Sequence, residues 1–113
     1  MSSEFDKLEG LKGLYPSVEL WEEGGLPFVF FPELTVESAG KKTVMKALLQ
    51  PHRSSEGYLT RLYLERQIET APAKNWQVPR MACGQSWATW SWNGIPDTLP
   101  WEEILANHLK GLQ

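Results

Sequence analysis

A single cysteine, Cys83, is the strongest nucleophile in the sequence. The thiolate is the reactive form, so catalysis by Cys83 would need a pKa lowered by a nearby cation or helix N-terminus, together with some exposure. Arg80 lies close by along the chain, and Gly84 would let a substrate approach the thiol. The alternative is that Cys83 is a small buried hydrophobe, the commonest environment of a free cysteine. The sequence leaves both interpretations open.

Two histidines offer acid–base chemistry. His52 lies in a polar loop between Pro51 and Arg53, which makes it the better functional candidate. A catalytic pair of His52 with Cys83 stays open, although their separation along the chain gives it no support. The alternative for His52 is an ordinary solvated loop residue. His108 falls among apolar residues near the C-terminal end and is predicted to be a hydrogen-bonded core or boundary residue. One cysteine and two scattered histidines form no zinc signature, so neither a metal nor a cofactor is predicted.

Two pairs of adjacent carboxylates also have plain structural explanations. Glu22 and Glu23 precede a glycine pair and are expected at a solvated hairpin tip. Glu102 and Glu103 are expected in the first turn of a helix, where negative charge is favourable. The sequence contains neither a glycine-rich phosphate loop nor a serine nucleophile elbow.

Tryptophan is the unusual component, since the chain carries six, five of them at positions 76, 87, 90, 92 and 101. Aromatic side chains can stack on sugars, bases or cations. Trp90 and Trp92 alternate correctly to pack beneath a helix that carries Trp101, so packing explains them best. Trp87 and Trp76 are less constrained, and one of them is expected to be exposed. Together with Arg80 they are the candidate binding residues.

Composition limits the classes of partner. The chain has 113 residues, of which 42% are hydrophobic, and a net charge of −3. These values predict one folded domain spanning residues 1–113. Lysine and arginine are not clustered, which argues against nucleic acid or an anionic membrane as a partner. With no apolar run long enough for a bilayer, no secretory signal and a lone cysteine, the chain is expected in the cytoplasm.

The elements that must position these residues are predicted from spacing and turn signals. Phe5, Leu8, Leu11 and Leu14 share one face of a short helix that ends before Pro16. The glycine pair at 24–25 predicts a hairpin between strands at 18–21 and 26–31, with Pro27 at a strand start or edge. Pro32, Ser38 and Gly40 are expected to interrupt the chain around a small strand at 34–36.

Three further strands are predicted at 43–50, 58–68 and 86–92. For the first, a helix is the alternative, because Val44, Leu48 and Leu49 suit one helix face, but eight residues are short for a helix. In the second, Leu62 and Leu64 are expected on one face, with Arg61, Tyr63 and Glu65 on the other. In the third, Trp90 shares a face with Ala88 and Trp92 and lies opposite to Trp87 and Thr89.

The final helix has the clearest signals. Asp97 or Thr98 is a candidate cap, and Pro100 suits the first turn. Its apolar stripe consists of Trp101, Ile104, Leu105, His108, Leu109 and Leu112. Strands in succession with a helix at each end predict an α+β fold in which the helices cover one face of the sheet.

Six stretches of the chain form a pattern: Tyr15-Pro-Ser-Val-Glu-Leu, Gly25-Leu-Pro-Phe, Gly57-Tyr-Leu-Thr-Arg-Leu-Tyr-Leu-Glu, Asn75-Trp, Ser86-Trp-Ala-Thr-Trp-Ser-Trp and Leu99-Pro-Trp-Glu-Glu-Ile-Leu-Ala-Asn-His-Leu. This pattern resembles family E of the prokaryotic ubiquitin-conjugating-enzyme-like (UBC superfamily) proteins. The resemblance implies a UBC-like fold, an antiparallel meander with flanking helices. It also implies a bacterial pathway with a ubiquitin-like modifier and an activating enzyme as partners.

The resemblance places Cys83 in about the stretch of chain where a conjugating enzyme carries its thioester-forming cysteine. The His-Pro-Asn triplet that precedes this cysteine in ordinary conjugating enzymes is absent, and Asn75 is the only asparagine close upstream. We therefore expect a non-catalytic or divergent partner of the pathway. The alternatives are an active conjugating enzyme with its thioester at Cys83, and a module that binds a small ligand or peptide through an exposed Trp87 or Trp76.

Overall fold

A computed structural model describes residues 4–53, 58–68, 76, 79–90 and 94–112 of the protein. Four antiparallel strands form one sheet in sequential order, and two shorter strands form a separate hairpin. The elements are α1 (Glu4–Lys12), β1 (Glu19–Glu23), β2 (Leu26–Ser38), β3 (Lys41–Gln50), β4 (Arg61–Leu64), β5 (Arg80–Ala82), β6 (Gln85–Trp87) and α2 (Trp101–Lys110). The predicted α+β class, antiparallel sheet and terminal helices are confirmed.

Three hairpins turn through two residues that both have positive φ. The φ values are 60° and 80° at Gly24 and Gly25, 52° and 75° at Ala39 and Gly40, and 51° and 77° at Cys83 and Gly84. Such pairs build type I′ turns, whose twist matches the right-handed twist of the strands they join. The predicted hairpin at 24–25 is confirmed, and so is the interruption expected at Ser38 and Gly40, where the second turn lies. That the second and third turns close hairpins was not predicted.

The expected interruption at Pro32 is wrong, because β2 runs through it. Pairing with β3 shifts register between Phe31 and Leu34, so Pro32 and Glu33 are absorbed as a bulge. Pro27 is tolerated because it pairs only with Glu22 of β1, beyond the point where the β2–β3 pairing begins at Val29.

One side of the sheet, which we call the helix face, packs against both helices. Its buried side chains come from the sheet, from α1 (Leu8 and Leu11), from α2 (Trp101, Ile104 and Leu105), and from Trp90 and Leu112. The predicted packing of Trp90 beneath the last helix is therefore confirmed, whereas Trp92 and the side chain of Phe5 lie outside the described residues. Leu14 was expected on the buried face but is 65% exposed, because α1 ends at Lys12.

The other side of the sheet, the hairpin face, is covered by β5 and β6. Phe28, Phe30, Leu48 and Tyr63 of the sheet cluster there with Ala82 and Trp87 of the hairpin. The chain after β6 returns to the sheet through a backbone pair between Ala88 and Leu64. The split predicted for β4, with Leu62 and Leu64 on one face and Tyr63 on the other, is confirmed.

Three predicted boundaries need correction. The strand expected at 58–68 is limited to β4, and the strand expected at 86–92 is regular only as far as Trp87, with isolated bridges at Ala88 and Trp90. Pro100 immediately precedes α2, and neither Asp97 nor Thr98 caps it. Neither described helix is long and apolar enough to cross a membrane.

Candidate functional site

Cys83 lies at the first position of the β5–β6 turn and is half-buried. Its backbone N–H donates a hydrogen bond to Oε1 of Glu23, at 3.1 Å. The thiol lies at an open groove of about 530 Å³ that is also lined by Trp21, Glu22, Glu23 and Gly84. Cys83 is thus not a fully buried core residue, and a groove large enough for a side chain lies beside it.

The electrostatic surroundings of Cys83 disfavour its thiolate. Burial raises the pKa of the Cys83 thiol, and the negative charge of Glu23 raises it further. A lowered pKa, which nucleophilic catalysis by Cys83 would need, is not found, and the shift has the opposite sign. Less thiolate is therefore present at neutral pH than for a free cysteine.

The backbone at Cys83 is also in an uncommon conformation. With φ of 51°, Cys83 occupies the left-handed region, which costs a non-glycine residue roughly 1–2 kcal/mol. Asparagine, aspartate and glycine are the residues favoured at this position of a type I′ turn. The turn therefore carries a cysteine at a position where other residues would be more stable.

His52 is not hydrogen-bonded to Cys83. Its ring is half-buried and meets Phe28 edge to face, with centroids 5.4 Å apart. Nδ1 lies 3.3 Å from the carbonyl oxygen of Arg53, which can only accept, so Nδ1 carries the proton. Nε2 is buried and has no hydrogen-bond partner within the described part of the chain. Both residues border the hairpin face, but the Cys–His pair that the sequence left open is not formed.

The three candidate binding residues occupy different environments. Trp87 was a candidate for exposure, but it is 2% exposed, and its Nε1 donates to the carbonyl of Ala82 at 3.0 Å. It points inward because successive side chains along β6 point to opposite sides, and Ser86 before it is exposed. Trp76 is half-buried, with its ring edge to face against Trp90 at 5.5 Å. Arg80 is half-buried and pairs with Trp87 across the hairpin.

The sequence analysis overlooked Trp21, the tryptophan that lines the groove. Its ring stacks on Phe30 at a centroid distance of 4.0 Å and an interplanar angle of 7°. Its Nε1 donates to Oε1 of Glu19 at 3.3 Å. One signal was available in the sequence: Trp21 lies in a short run of glutamates just before a hairpin turn, which is typical of an exposed edge strand.

A second cleft, of about 550 Å³, lies at the start of β1 and includes Tyr15, Glu19, Phe31 and Glu33. The Tyr15 ring meets Phe31 edge to face at 5.4 Å, and burial raises the pKa of its hydroxyl. None of the predicted site residues lines this cleft, so it does not bring the candidate chemistry together.

Two polar networks lie within the protein. Thr60 Oγ1 donates to the carbonyl of Ile95 at 3.0 Å, so it must accept from His108 Nε2, which is 2.9 Å away. Burial, followed by the charge of Arg61, lowers the pKa of His108 to about 4. The prediction that His108 is a hydrogen-bonded core residue is confirmed, and its ring is neutral at physiological pH.

Arg61 is itself 1% exposed, although the sequence analysis placed no importance on it. Its Nε donates to Thr89 Oγ1 at 3.2 Å, and that hydroxyl donates to the carbonyl of Leu62 at 3.1 Å. The guanidinium carbon lies 4.0 Å from the centre of the Tyr58 ring. These contacts position the segment after β6 against β4, which is a structural role.

No family model, curated protein or solved structure matches the chain. The function must therefore be argued from the site itself. Within the described residues, no group of three histidine, cysteine, aspartate or glutamate side chains is arranged to hold a metal ion. What the groove offers is a half-buried thiol, an aromatic ring and two carboxylates, a combination suited to binding.

Proposed function

We propose that the protein is a UBC-like component of a bacterial ubiquitin-like conjugation pathway, acting as a non-catalytic or divergent partner of the modifier and the activating enzyme. The observation that carries the proposal is the order of elements along the chain. A helix precedes four sequential antiparallel strands, a turn bearing Cys83 follows them, and a helix ends the series. This is the arrangement that the sequence resemblance implies, with the cysteine between the sheet and the last helix.

The state of Cys83 favours a binding role over thioester transfer. Transfer requires its thiolate to attack the carbonyl of the activating-enzyme thioester and release that enzyme's thiol. The pKa of Cys83 is raised by burial and by Glu23, so the thiolate is scarce at neutral pH. The described part of the chain also supplies no histidine hydrogen-bonded to the thiol, since His52 Nδ1 bonds to Arg53 and Nε2 to none of these residues.

The test uses a ubiquitin-like modifier and its activating enzyme, to be sought first among the genes that neighbour the gene for this chain. The three proteins are incubated with ATP and separated on a non-reducing gel, and binding of each partner is measured by calorimetry. We expect measurable binding to at least one partner and no thiol-sensitive adduct. Cys83→Ala is the matched control. It should bind as the parent protein does, because in a non-catalytic role Cys83 forms no covalent bond to the modifier.

The half-buried thiol at the groove favours a second candidate, an active conjugating enzyme that uses Cys83. The same gel decides between the two. An adduct that disappears with reductant and with Cys83→Ala would establish thioester formation and overturn the non-catalytic role. The absence of both an adduct and binding to either partner would reject the pathway altogether.

A further inference from the structure

β1 is the outermost strand of the sheet, and among the described residues its outer edge is open. It pairs with β2 on one side, and no described strand pairs with it on the other. Four of its five residues are exposed, with Leu20 at 44%, and only Trp21 is half-buried. An open edge presents unpaired backbone donors and acceptors, which makes it a template for an added strand.

The register identifies which backbone groups face outward. Glu23 and Leu26 flank the two-residue turn, so they form the hydrogen-bonded pair that closes the hairpin. Ladder bonds in an antiparallel pair involve alternate residues, so Trp21 and Glu19 also direct their backbone groups toward β2. The N–H and C=O groups of Leu20 and Glu22 therefore point away from the sheet and are available to a partner.

Side chains on the two sides of this edge differ in chemistry. Glu19, Trp21 and Glu23 alternate onto the hairpin face, where the groove beside Cys83 lies. The Trp21 ring is thus flanked by two carboxylates, an environment that attracts a cation to the aromatic ring. A smaller cleft of about 110 Å³ is lined by Leu20, Trp21, Glu22, Gly25 and Pro27, and within it Leu20 and Pro27 offer contacts to an apolar side chain.

The negative charge of β1 determines which kind of strand could pair with its outer edge. Three of its five residues are glutamates. A second copy of β1 added in antiparallel orientation and centred on Trp21 would place Glu19 opposite Glu23, and like charges directly opposite are destabilising. Basic side chains in the same positions would instead be attracted, so the edge opposes self-association and favours a cationic segment.

We propose that the outer edge of β1 binds an extended basic peptide segment as a fifth strand, with a lysine or arginine over Trp21 and an apolar residue beside Leu20. The backbone groups of Leu20 and Glu22 supply the ladder bonds, and Glu19, Trp21 and Glu23 select the basic residue. This inference does not depend on the proposed pathway, because it rests on the edge geometry and charge alone.

The test measures fluorescence anisotropy of a labelled short peptide in which lysine and valine alternate. Two matched probes accompany it: a glutamate–valine peptide, and the lysine–valine peptide with methylated backbone amides on its pairing edge. We expect saturable binding of the lysine–valine peptide alone, weakening as salt is raised. Equal binding of the methylated probe would mean charge attraction without strand addition and would overturn the proposal, as would equal binding of the glutamate–valine probe.

Variants locate the site on the protein. The double variant Glu19→Gln/Glu23→Gln should weaken binding by roughly threefold to tenfold, the range for two exposed charge pairs. The control Glu37→Gln/Glu103→Gln changes the net charge equally at exposed positions elsewhere and should leave affinity nearly unchanged. Trp21→Leu should weaken binding by about threefold through loss of the cation–π contact. Equal losses in the double variant and its control would reject β1 as the site.

Neither experiment substitutes for the other. The peptide assay contains no modifier or activating enzyme, so failure to bind peptide leaves the pathway proposal to its own gel. Failure to detect the pathway likewise leaves the edge proposal to the peptides. Each proposal is therefore rejected by its own result.

Discussion

The two faces of the four-stranded sheet are closed by very different amounts of structure. Two helices and Trp90 cover the helix face, where His108 is buried and hydrogen-bonded to Thr60. A hairpin of two three-residue strands covers the hairpin face, and half-buried Cys83 and Trp21 lie at its margin. The helix face therefore provides most of the stability, and the hairpin face keeps reactive and aromatic groups within reach of solvent.

A stable core and an accessible binding surface need opposite kinds of packing, and each face of the sheet provides one of them. Close packing excludes water and fixes side chains, which suits a core but prevents access. A small cover leaves an open rim, and every residue predicted to be catalytic or to bind, except Trp76, belongs to or borders that side. Trp76 packs against Trp90 and so belongs to the helix face.

The largest expected effect is on the helix face. Trp90→Ala should lower the free energy of unfolding by about 3–5 kcal/mol, the range for removing a large buried aromatic ring. The paired variant Trp87→Ala should cost less, about 2 kcal/mol, because the hairpin can loosen without opening the helix-face core. Urea denaturation gives the two free energies, and hydrogen exchange shows which amides lose protection. Similar global losses in both variants would contradict the separation of the two faces.

The second effect is a pH dependence that belongs to His108. Because the folded pKa is about 4 and the ordinary value is 6.5, the unfolded chain binds a proton that the folded protein excludes between these values. Stability from this group is complete above pH 6.5 and is lost as pH falls toward 4, by on the order of 3 kcal/mol.

This dependence is measured as the difference between the parent protein and His108→Leu in urea denaturation from neutral to acidic pH. The variant should lose that part of the slope. His52→Gln, on the other side of the sheet, keeps His108 and should keep the slope. A slope unchanged by His108→Leu would show that the buried ring does not exclude the proton.

The smallest effect is a gain on the hairpin face. Cys83→Asn places a residue that tolerates positive φ in the turn, so stability should rise by about 1 kcal/mol. Cys83→Ala removes the thiol and keeps the unfavourable backbone, and it should not show the gain. Thermal unfolding of the two variants measures the difference, and a gain shared by both would point to the thiol and not to the backbone.

Local patterns in the sequence predicted the helix face well. The apolar stripe from Trp101 to Leu112 and the alternation of Leu62 and Leu64 each indicate a surface that must be buried. Packing the helix stripe against this side of the sheet buries both, as the structure shows. The position of Trp90 followed from the same alternation. These features were predictable because each depends only on the periodic spacing of residues that are close together in the sequence.

The hairpin face depended on contacts between residues far apart in the chain. Nothing near Cys83 in sequence indicates that Glu23 would bond its backbone and raise its pKa. Ala39 and Cys83 have positive φ, but the sequence signal of a type I′ turn is asparagine, aspartate or glycine at that position, so these two hairpins were not predicted. Trp21 was not predicted as a site residue because the glutamates around it indicate an exposed edge strand but not the groove that it shares with Cys83.

The hydroxyl of Ser38 donates a hydrogen bond to the carbonyl of Leu112, joining the tip of the β2–β3 hairpin to the end of the C-terminal helix. Neighbouring strands of the meander can pair as soon as each is made, because their contacts are local in the chain. The helix face, by contrast, is covered only in part, by α1, until α2 has been made. The nascent chain therefore leaves part of the apolar side of its sheet uncovered until α2 packs against it.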